Sequence, residues 1–187
     1  MLLNGVRMAT AVSPAGMGVQ SEGDSKRAVS LRESLHLVAD PRSLDASVEE
    51  VFQTMLGLEC RRDPGAEERE PESVTAVVGF GGLLSCACVL STGRSVALEI
   101  AAHMTGMRFD EVDDTVKDAI GEICNMLAGA WKGKVPELAA NCGLSVPAVI
   151  TGRDYRLHVQ APEFQLHHRY GFADSRFSVT IVCDGLK

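Results

Sequence analysis

The segment from Asp110, the expected N-cap, to Lys132 contains the clearest helical pattern in the chain. Apolar residues recur there at the three- and four-residue spacing of an amphipathic helix, so they lie on one side. They are Val112, Val116, Ile120, Ile123, Leu127 and Trp131. Asp118, Glu122 and Asn125 fall on the opposite side, within a stripe roughly 60° wide. The pattern predicts a long helix with one side in a core and two acids and an amide on the other.

A proline further along the chain extends this row into a longer pattern. The spacing is Asp118, three residues, Glu122, two residues, Asn125, twenty-one residues, Pro147. A polar helix side is usually only the solvated face, and an acid followed by an amide is common by chance. The whole spacing, however, resembles the motif of the CheC–CheX–FliY family of chemotaxis phosphatases, Asp or Ser, x3, Glu, x2, Asn, x21, Pro. All four positions match without an insertion.

The resemblance implies the fold of that family, an α/β (α+β) pseudo-symmetric domain with two long helices packed on a mostly antiparallel sheet. Periodicity alone indicates only a single α+β domain. We expect residues 44–187 to form this domain. Residues 1–43 are expected to be a flexible N-terminal extension, because most of this segment is small, polar and glycine-rich without a period.

The other patterns predict the elements around the long helix. In chain order they are a helix from Leu44 to about Gly57, a charged loop over 61–73, a hairpin of strands 73–80 and 82–90, a helix over 94–105 ending at Gly106, the long helix, a loop over 137–143, and strands over 144–151, 155–160, 164–172 and 176–184 with a turn at Asp174–Ser175. Pro147 indicates an edge strand or a strand start, since proline cannot donate to a ladder.

Composition excludes several classes of protein. The net charge of −7 argues against a nucleic-acid-binding protein, which usually has a basic face. No run of eighteen apolar residues occurs, so we expect no membrane span. The first twenty residues lack the apolar core of a signal peptide. We therefore expect a cytoplasmic protein that binds neither nucleic acid nor membrane.

The cysteines and histidines do not form a metal-binding pattern. None of the six cysteines belongs to a C-x-x-C pair, and we expect buried free thiols in a reducing cytoplasm rather than a metal site or disulfide. Cys86 and Cys88 would share one face of a strand. His167 and His168 would point to opposite faces, which does not suit a ligand pair.

The resemblance also implies a function, which is hydrolysis of the aspartyl phosphate on a CheY-like response regulator. The phosphorylated domain of that regulator is the receiver. An amide can accept from and donate to one water at once, so Asn125 is expected to enter the receiver's site and orient the attacking water. Glu122 is implied to pair with a lysine of the receiver and anchor docking, with Asp118 further back on the docking face. Pro147 is implied to be structural. Mg²⁺ is expected in the receiver, and no cofactor or metal in this chain.

Two alternative functions remain open. Flagellar motor-switch middle domains share this fold and bind response regulators without hydrolysing them, although a pure binder has no need of the amide of Asn125. The chain could also be a structural or oligomerisation protein with a fortuitous motif.

A near repeat of the motif lies in the first predicted helix, where some family members carry a second site. Glu50 and Gln53 have the right spacing, but Ala46 replaces the leading acid and Thr75 stands twenty-two residues after Gln53 in place of the proline. We therefore expect one site per chain, as in the CheX branch of the family, and by the same resemblance a homodimer.

Overall fold

One antiparallel sheet with helices on one face forms the framework of the computed structural model, which describes residues 39–65, 71–153, 155, 158 and 162–186. In chain order the elements are α1 (Pro41–Val51), a π-helical turn (Phe52–Leu56), β1 (Arg61–Arg62), β2 (Glu72–Gly82), β3 (Leu84–Gly93), α2 (Arg94–Thr105), α3 (Asp114–Gly133), α4 (Pro136–Asn141), β4 (Cys142–Leu144), β5 (Ala148–Arg153), β6 (Phe164–Phe172) and β7 (Ser175–Leu186). The predicted fold class, helices packed on a mostly antiparallel sheet, is confirmed.

The sheet has the strand order β1-β6-β7-β3-β2-β4, and β5 pairs with β2 as well. All these pairs are antiparallel. Strands β4 and β5 share one edge of β2, because β4 pairs with its end at Phe80–Gly82 and β5 with its beginning at Glu72–Val77. Pro147 lies between β4 and β5 and directly precedes β5, the position expected for a residue that cannot donate to the ladder.

The core lies between the helices and the inner face of the sheet. Side chains alternate between the two faces along each strand, and those of the inner face are buried against the helices. Phe52 follows α1 and stacks on Phe177 of β7 with ring centroids 4.6 Å apart. Trp131 of α3 is fully buried and meets Phe80 of β2 edge to face. Both long helical segments are therefore fixed to the sheet by aromatic contacts as well as by aliphatic burial.

Two helix starts differ from the predictions. Helix α3 is capped by Asp113 rather than Asp110, and the carboxylate of Asp113 accepts a hydrogen bond from the amide of Val116 at 2.9 Å. Helix α1 begins at Pro41 instead of Leu44, because Asp40 provides the cap and proline suits the first turn. Residues 41–43 thus belong to α1. The rest of the predicted flexible extension, apart from residues 39 and 40, lies outside the described residues.

Smaller differences concern loops and strand ends. The predicted loop over 137–143 contains α4 and the start of β4, and the short β1 was not predicted. The last hairpin turns at Ala173–Asp174, one residue earlier than predicted. Of the predicted strand over 155–160, only Tyr155 and His158 are described, and neither belongs to a strand.

The cysteine prediction is partly wrong. Cys86 and Cys183 form a disulfide between the paired strands β3 and β7. The other four cysteines are free and buried, as predicted: Cys60, Cys88, Cys124 and Cys142. The disulfide could not be read from spacing, because its cysteines are 97 residues apart and only the sheet register brings them opposite each other.

Candidate functional site

The solvent side of α3 carries the three polar side chains singled out in the sequence. Asp118 and Glu122 are exposed, whereas Asn125, whose place on the polar side predicts an exposed side chain, is half-buried. The apolar side of the same helix is completely buried from Val116 to Trp131. Within the described part of the chain, neither Glu122 nor Asn125 has a hydrogen-bond or ion-pair partner. Their polar atoms are thus available to another molecule.

Negative charge is concentrated at the start of α3. Asp113 caps the helix, and Asp114 forms an ion pair of 2.9 Å with Lys117. The hydrogen bond from Lys117 lowers the pKa of the Asp114 carboxyl, and the same bond raises the pKa of Lys117. Carboxylates at a helix N-terminus are favoured by the helix dipole, but an exposed pair adds little stability. The orientation of α3 therefore comes from its buried side, and its exposed side has a surplus of acid.

The segment between β4 and β5 packs against one flank of α3. A Cβ atom added at Gly121 would lie 3.3 Å from the Cβ of Pro147, and one added at Gly129 would lie 4.0 Å from the Cδ1 of Leu144. Two glycines therefore permit this close approach. Pro147 approaches the helix from the sheet edge, directly before β5.

Asn125 lies between these two contacts. Gly121, Asn125 and Gly129 are four residues apart, so they follow one another along the same flank of the helix. The chain from Leu144 to Pro147 approaches this flank at both ends, and Asn125 between them is half-buried. Sequence analysis missed the two glycines, although small residues four positions before and after Asn125 were a visible signal of a closely packed neighbour.

The near repeat in α1 has a different environment. The carboxylate of Glu50 lies 2.6 Å from the ammonium group of Lys134, which follows α3. Gln53 is exposed but belongs to the π-helical turn rather than to a regular α-helix. Thr75 is buried within β2. The combination of an unpaired acid, an amide and a flanking proline is therefore not repeated here.

A second polar cluster joins α1 to strands β1 and β6. The Asp45 carboxylate accepts a hydrogen bond from the Tyr170 hydroxyl at 2.8 Å and lies 2.8 Å from Nδ1 of His168. Arg62 is 3.6 Å from the other carboxylate oxygen. Burial, together with the hydrogen bond to the Asp45 carboxylate and its charge, raises the pKa of Tyr170. Because each of these groups is satisfied by another, the cluster is a means of fixing α1 to β6.

Sites for metals and membranes were also sought among the described residues. No group of three or more His, Cys, Asp or Glu side chains there could hold a metal ion. His168 faces the core with Asp45, whereas His167 is exposed and lies 2.8 Å from Thr180, so the two histidines point to opposite faces as predicted. No helix in the described ranges has the length and apolarity to span a bilayer.

Comparison with known proteins identifies the family. Residues 74–168, 95 of the 187 in the chain, match the family model described as chemotaxis phosphatase CheX. The chain belongs to the CheX family. All four motif positions, from Asp118 to Pro147, fall inside the matched range.

Similar proteins agree with this assignment. The CheY-P phosphatase CheX of Thermotoga maritima is 29% identical over 125 residues, which cover 63% of this chain and 81% of the relative. The crystal structure of CheX from Vibrio vulnificus superposes with a TM-score of 0.64 at 22% identity, covering 78% of this chain and 98% of that one. A CheX–CheY–BeF3–Mg²⁺ complex from Borrelia burgdorferi gives a TM-score of 0.59 at 18% identity, covering 76% and 95%. The two structures share the CheX fold with this chain.

Proposed function

We propose that this chain removes the phosphoryl group from the aspartate of a phosphorylated CheY-like receiver, using the exposed side of α3. The observation that carries the proposal is the pair formed by Glu122 and Asn125, which have no partner among the described residues, on a buried and well-supported helix. Support comes from the relative in Thermotoga maritima, a CheY-P phosphatase, and from the crystallised complex of CheX with CheY in Borrelia burgdorferi.

Asn125 supplies the chemistry by orienting water. An aspartyl phosphate is already activated, and phosphoryl transfer depends mostly on positioning and charge stabilisation rather than on covalent help from the protein. A carboxamide accepts one hydrogen bond from a water and donates another to a neighbouring oxygen, so it aligns the attack without taking a proton. The half-buried position of Asn125 limits the rotamers of its side chain, which reduces the entropy lost on docking.

Glu122 supplies the anchor. It lies one helical turn from Asn125, so both side chains reach the same partner surface, roughly 5–6 Å apart at their Cβ atoms. Its carboxylate pairs with a lysine beside the receiver's phosphorylated aspartate, and Asp118 adds acid to the docking face one further turn back. The Mg²⁺ belongs to the receiver, and this chain contributes no cofactor.

The first test replaces Asn125 by alanine. We expect the dephosphorylation rate of a phosphorylated receiver to fall by about 100-fold, because the water loses its orienting group. The unfolding curve should stay within about 0.5 kcal/mol of wild type, since the side chain has no partner among the described residues. Single-turnover loss of radiolabelled phosphate measures the rate, and an unchanged rate in a folded variant rejects the role of Asn125.

The second test reverses the charge of Glu122. Glu122→Lys should raise KM for the receiver by roughly 10-fold or more, because an attractive charge pair becomes a repulsive one. Glu122→Gln, which keeps the shape, should give a smaller rise. Equal KM values for wild type and both variants would contradict the docking role, and the salt dependence of wild-type KM provides an independent check.

The same assay distinguishes the alternative functions. A phosphatase accelerates phosphate loss, a motor-switch type of binding module retains the receiver without accelerating it, and a structural protein does neither.

We also propose that the chain works in the cytoplasm as a homodimer. Light scattering on the purified chain tests the mass, and a monomer at micromolar concentration would contradict the dimer.

A further inference from the structure

Val146 is 86% exposed, more than any other large apolar residue that the structure describes. The others are Met107 at 54%, Ile150 at 42% and Met55 at 39%. A single exposed apolar side chain is normal on a protein surface and needs no explanation by itself. Val146 differs from the others because it lies in the segment 144–147, which runs along the flank of α3 that carries Asn125.

The residues on both sides of Val146 are fixed. Ser145 is bound to Gly79 of β2 twice, through its amide to the Gly79 carbonyl at 2.8 Å and through its hydroxyl, which accepts from the Gly79 amide at 2.9 Å. Pro147 packs on Gly121 of α3. The residue before a proline is also restricted to extended backbone conformations. Val146 is therefore presented to solvent on a backbone with little freedom.

The path of the segment places Val146 along the same flank of α3 as Asn125. Leu144 contacts α3 at Gly129, Pro147 contacts it at Gly121, and Asn125 lies midway between those two contacts. A partner that brings a phosphoryl group within reach of Asn125 must contact this part of α3. Val146 directly precedes Pro147, and one extended residue spans only about 3.3 Å along the chain. The partner's surface therefore covers Val146 as well.

We propose that Val146 is an apolar docking contact for the receiver, which meets the receiver's surface next to its phosphorylated aspartate. This inference rests on the proposed function and deepens it by adding a contact outside the motif of acid, amide and proline. Glu122 provides charge attraction on one side of Asn125, and Val146 provides apolar burial on the other. Covering Val146 also removes bulk water from that side of the amide, which favours a single ordered water there.

The test uses two substitutions of Val146 and one control substitution of Ile150. Val146→Ser removes the apolar surface without adding charge, and Val146→Leu keeps it. Ile150→Ser is the matched control, because Ile150 is also an exposed aliphatic residue but lies in β5, where alternation places it on the opposite face from Val149, which approaches Gly121. Steady-state dephosphorylation is measured over a series of receiver concentrations, with wild type and Asn125→Ala in the same experiment.

We expect Val146→Ser to raise KM by roughly three- to tenfold, which corresponds to the loss of one partly buried aliphatic side chain, with kcat within about twofold of wild type. Val146→Leu and Ile150→Ser should keep KM within about twofold of wild type. If wild type accelerates phosphate loss and Val146→Ser has an unchanged KM, the docking contact is wrong while the proposed function stands. If wild type is no faster than Asn125→Ala, the proposed function and this contact both fail.

Discussion

At the scale of single residues, two properties of Asn125 matter for its proposed role. It is half-buried, yet its amide has no partner among the described residues. The amide is not among the buried polar atoms that lack a hydrogen bond, so solvent can satisfy it in the free chain. In the proposed complex, the attacking water and the receiver replace that solvent.

Replacing Asn125 by aspartate separates the shape of this side chain from its chemistry. The variant keeps the size but exchanges a donor for negative charge, which repels a phosphoryl group. We expect the single-turnover rate to fall at least as far as in Asn125→Ala, by about 100-fold or more. A rate close to wild type would show that shape alone suffices, and equal binding of unphosphorylated receiver by both proteins serves as the control.

The cluster around Tyr170 predicts a pH effect on stability. Burial and the Asp45 carboxylate raise the pKa of Tyr170 above the ordinary value of about 10, so the folded state keeps the phenol protonated. This stabilisation is complete below pH 10 and is lost as the pH rises above it, because only the unfolded chain releases that proton easily. The free energy of unfolding should therefore fall above pH 10 by up to about 1.4 kcal/mol per pH unit more in wild type than in Tyr170→Phe.

Urea unfolding at several pH values between about 8 and 11 measures this difference. At pH 8, Tyr170→Phe should already be less stable by about 1–2 kcal/mol, because it loses the hydrogen bond to Asp45 at 2.8 Å. Parallel pH curves for the two proteins would mean that the phenol ionises equally well in the folded state.

At the scale of elements, alanine substitutions at Gly121 and Gly129 of α3 are expected to have opposite effects on stability. Gly129→Ala introduces a Cβ at an ordinary contact distance of 4.0 Å from Leu144, and the better helix propensity of alanine should raise stability by about 0.5–1 kcal/mol. Gly121→Ala gains the same propensity, but its Cβ would meet Pro147 at 3.3 Å and Val149 at 3.4 Å. We expect Gly121→Ala to be less stable than Gly129→Ala by about 1–2 kcal/mol.

The activities of these two variants should also differ. Pushing Pro147 away from Gly121 displaces the segment beside Asn125, so kcat/KM for the receiver should fall several-fold in Gly121→Ala and remain near wild type in Gly129→Ala. Thermal unfolding and the dephosphorylation assay measure both quantities on the same samples. Equal kcat/KM in the two variants would argue against a positioning role for this flank.

The same helix shows how far sequence reasoning reaches. Its apolar side from Val116 to Trp131 and its polar face at Asp118 and Glu122 follow from periodicity alone, since local geometry determines which residues share a side. Periodicity does not predict that Asp113 rather than Asp110 caps the helix, because several acids compete there and the connection from α2 decides where the chain can turn. The packing of residues 144–147 along the flank of α3 could not be predicted from the sequence either, since it depends on the register of β4 and β5 on β2.

At the scale of the whole molecule, α1 and α3 occupy comparable places on one sheet, yet only α3 displays a free acid and amide. In α1 the acid is held by Lys134, and the helix changes to a π-helical turn before it reaches Gln53. The two helices thus serve different purposes. Asp45 attaches α1 to Tyr170 of β6, and Phe52, directly after α1, stacks on Phe177 of β7. Helix α3 instead combines a buried apolar side with an exposed polar side.

This asymmetry predicts one receiver per chain. A Glu50→Ala/Gln53→Ala double variant should keep the rate within about twofold of wild type, because its exposed ion pair contributes little and no flanking proline completes a site. Calorimetric titration with a stably activated receiver should give one binding site per chain in wild type and in this double variant. The same titration with Glu122→Lys should lose that site. Two sites per chain, or a large loss of activity in the α1 variant, would show that a second docking face exists on α1 and that the Lys134 ion pair opens when the receiver arrives.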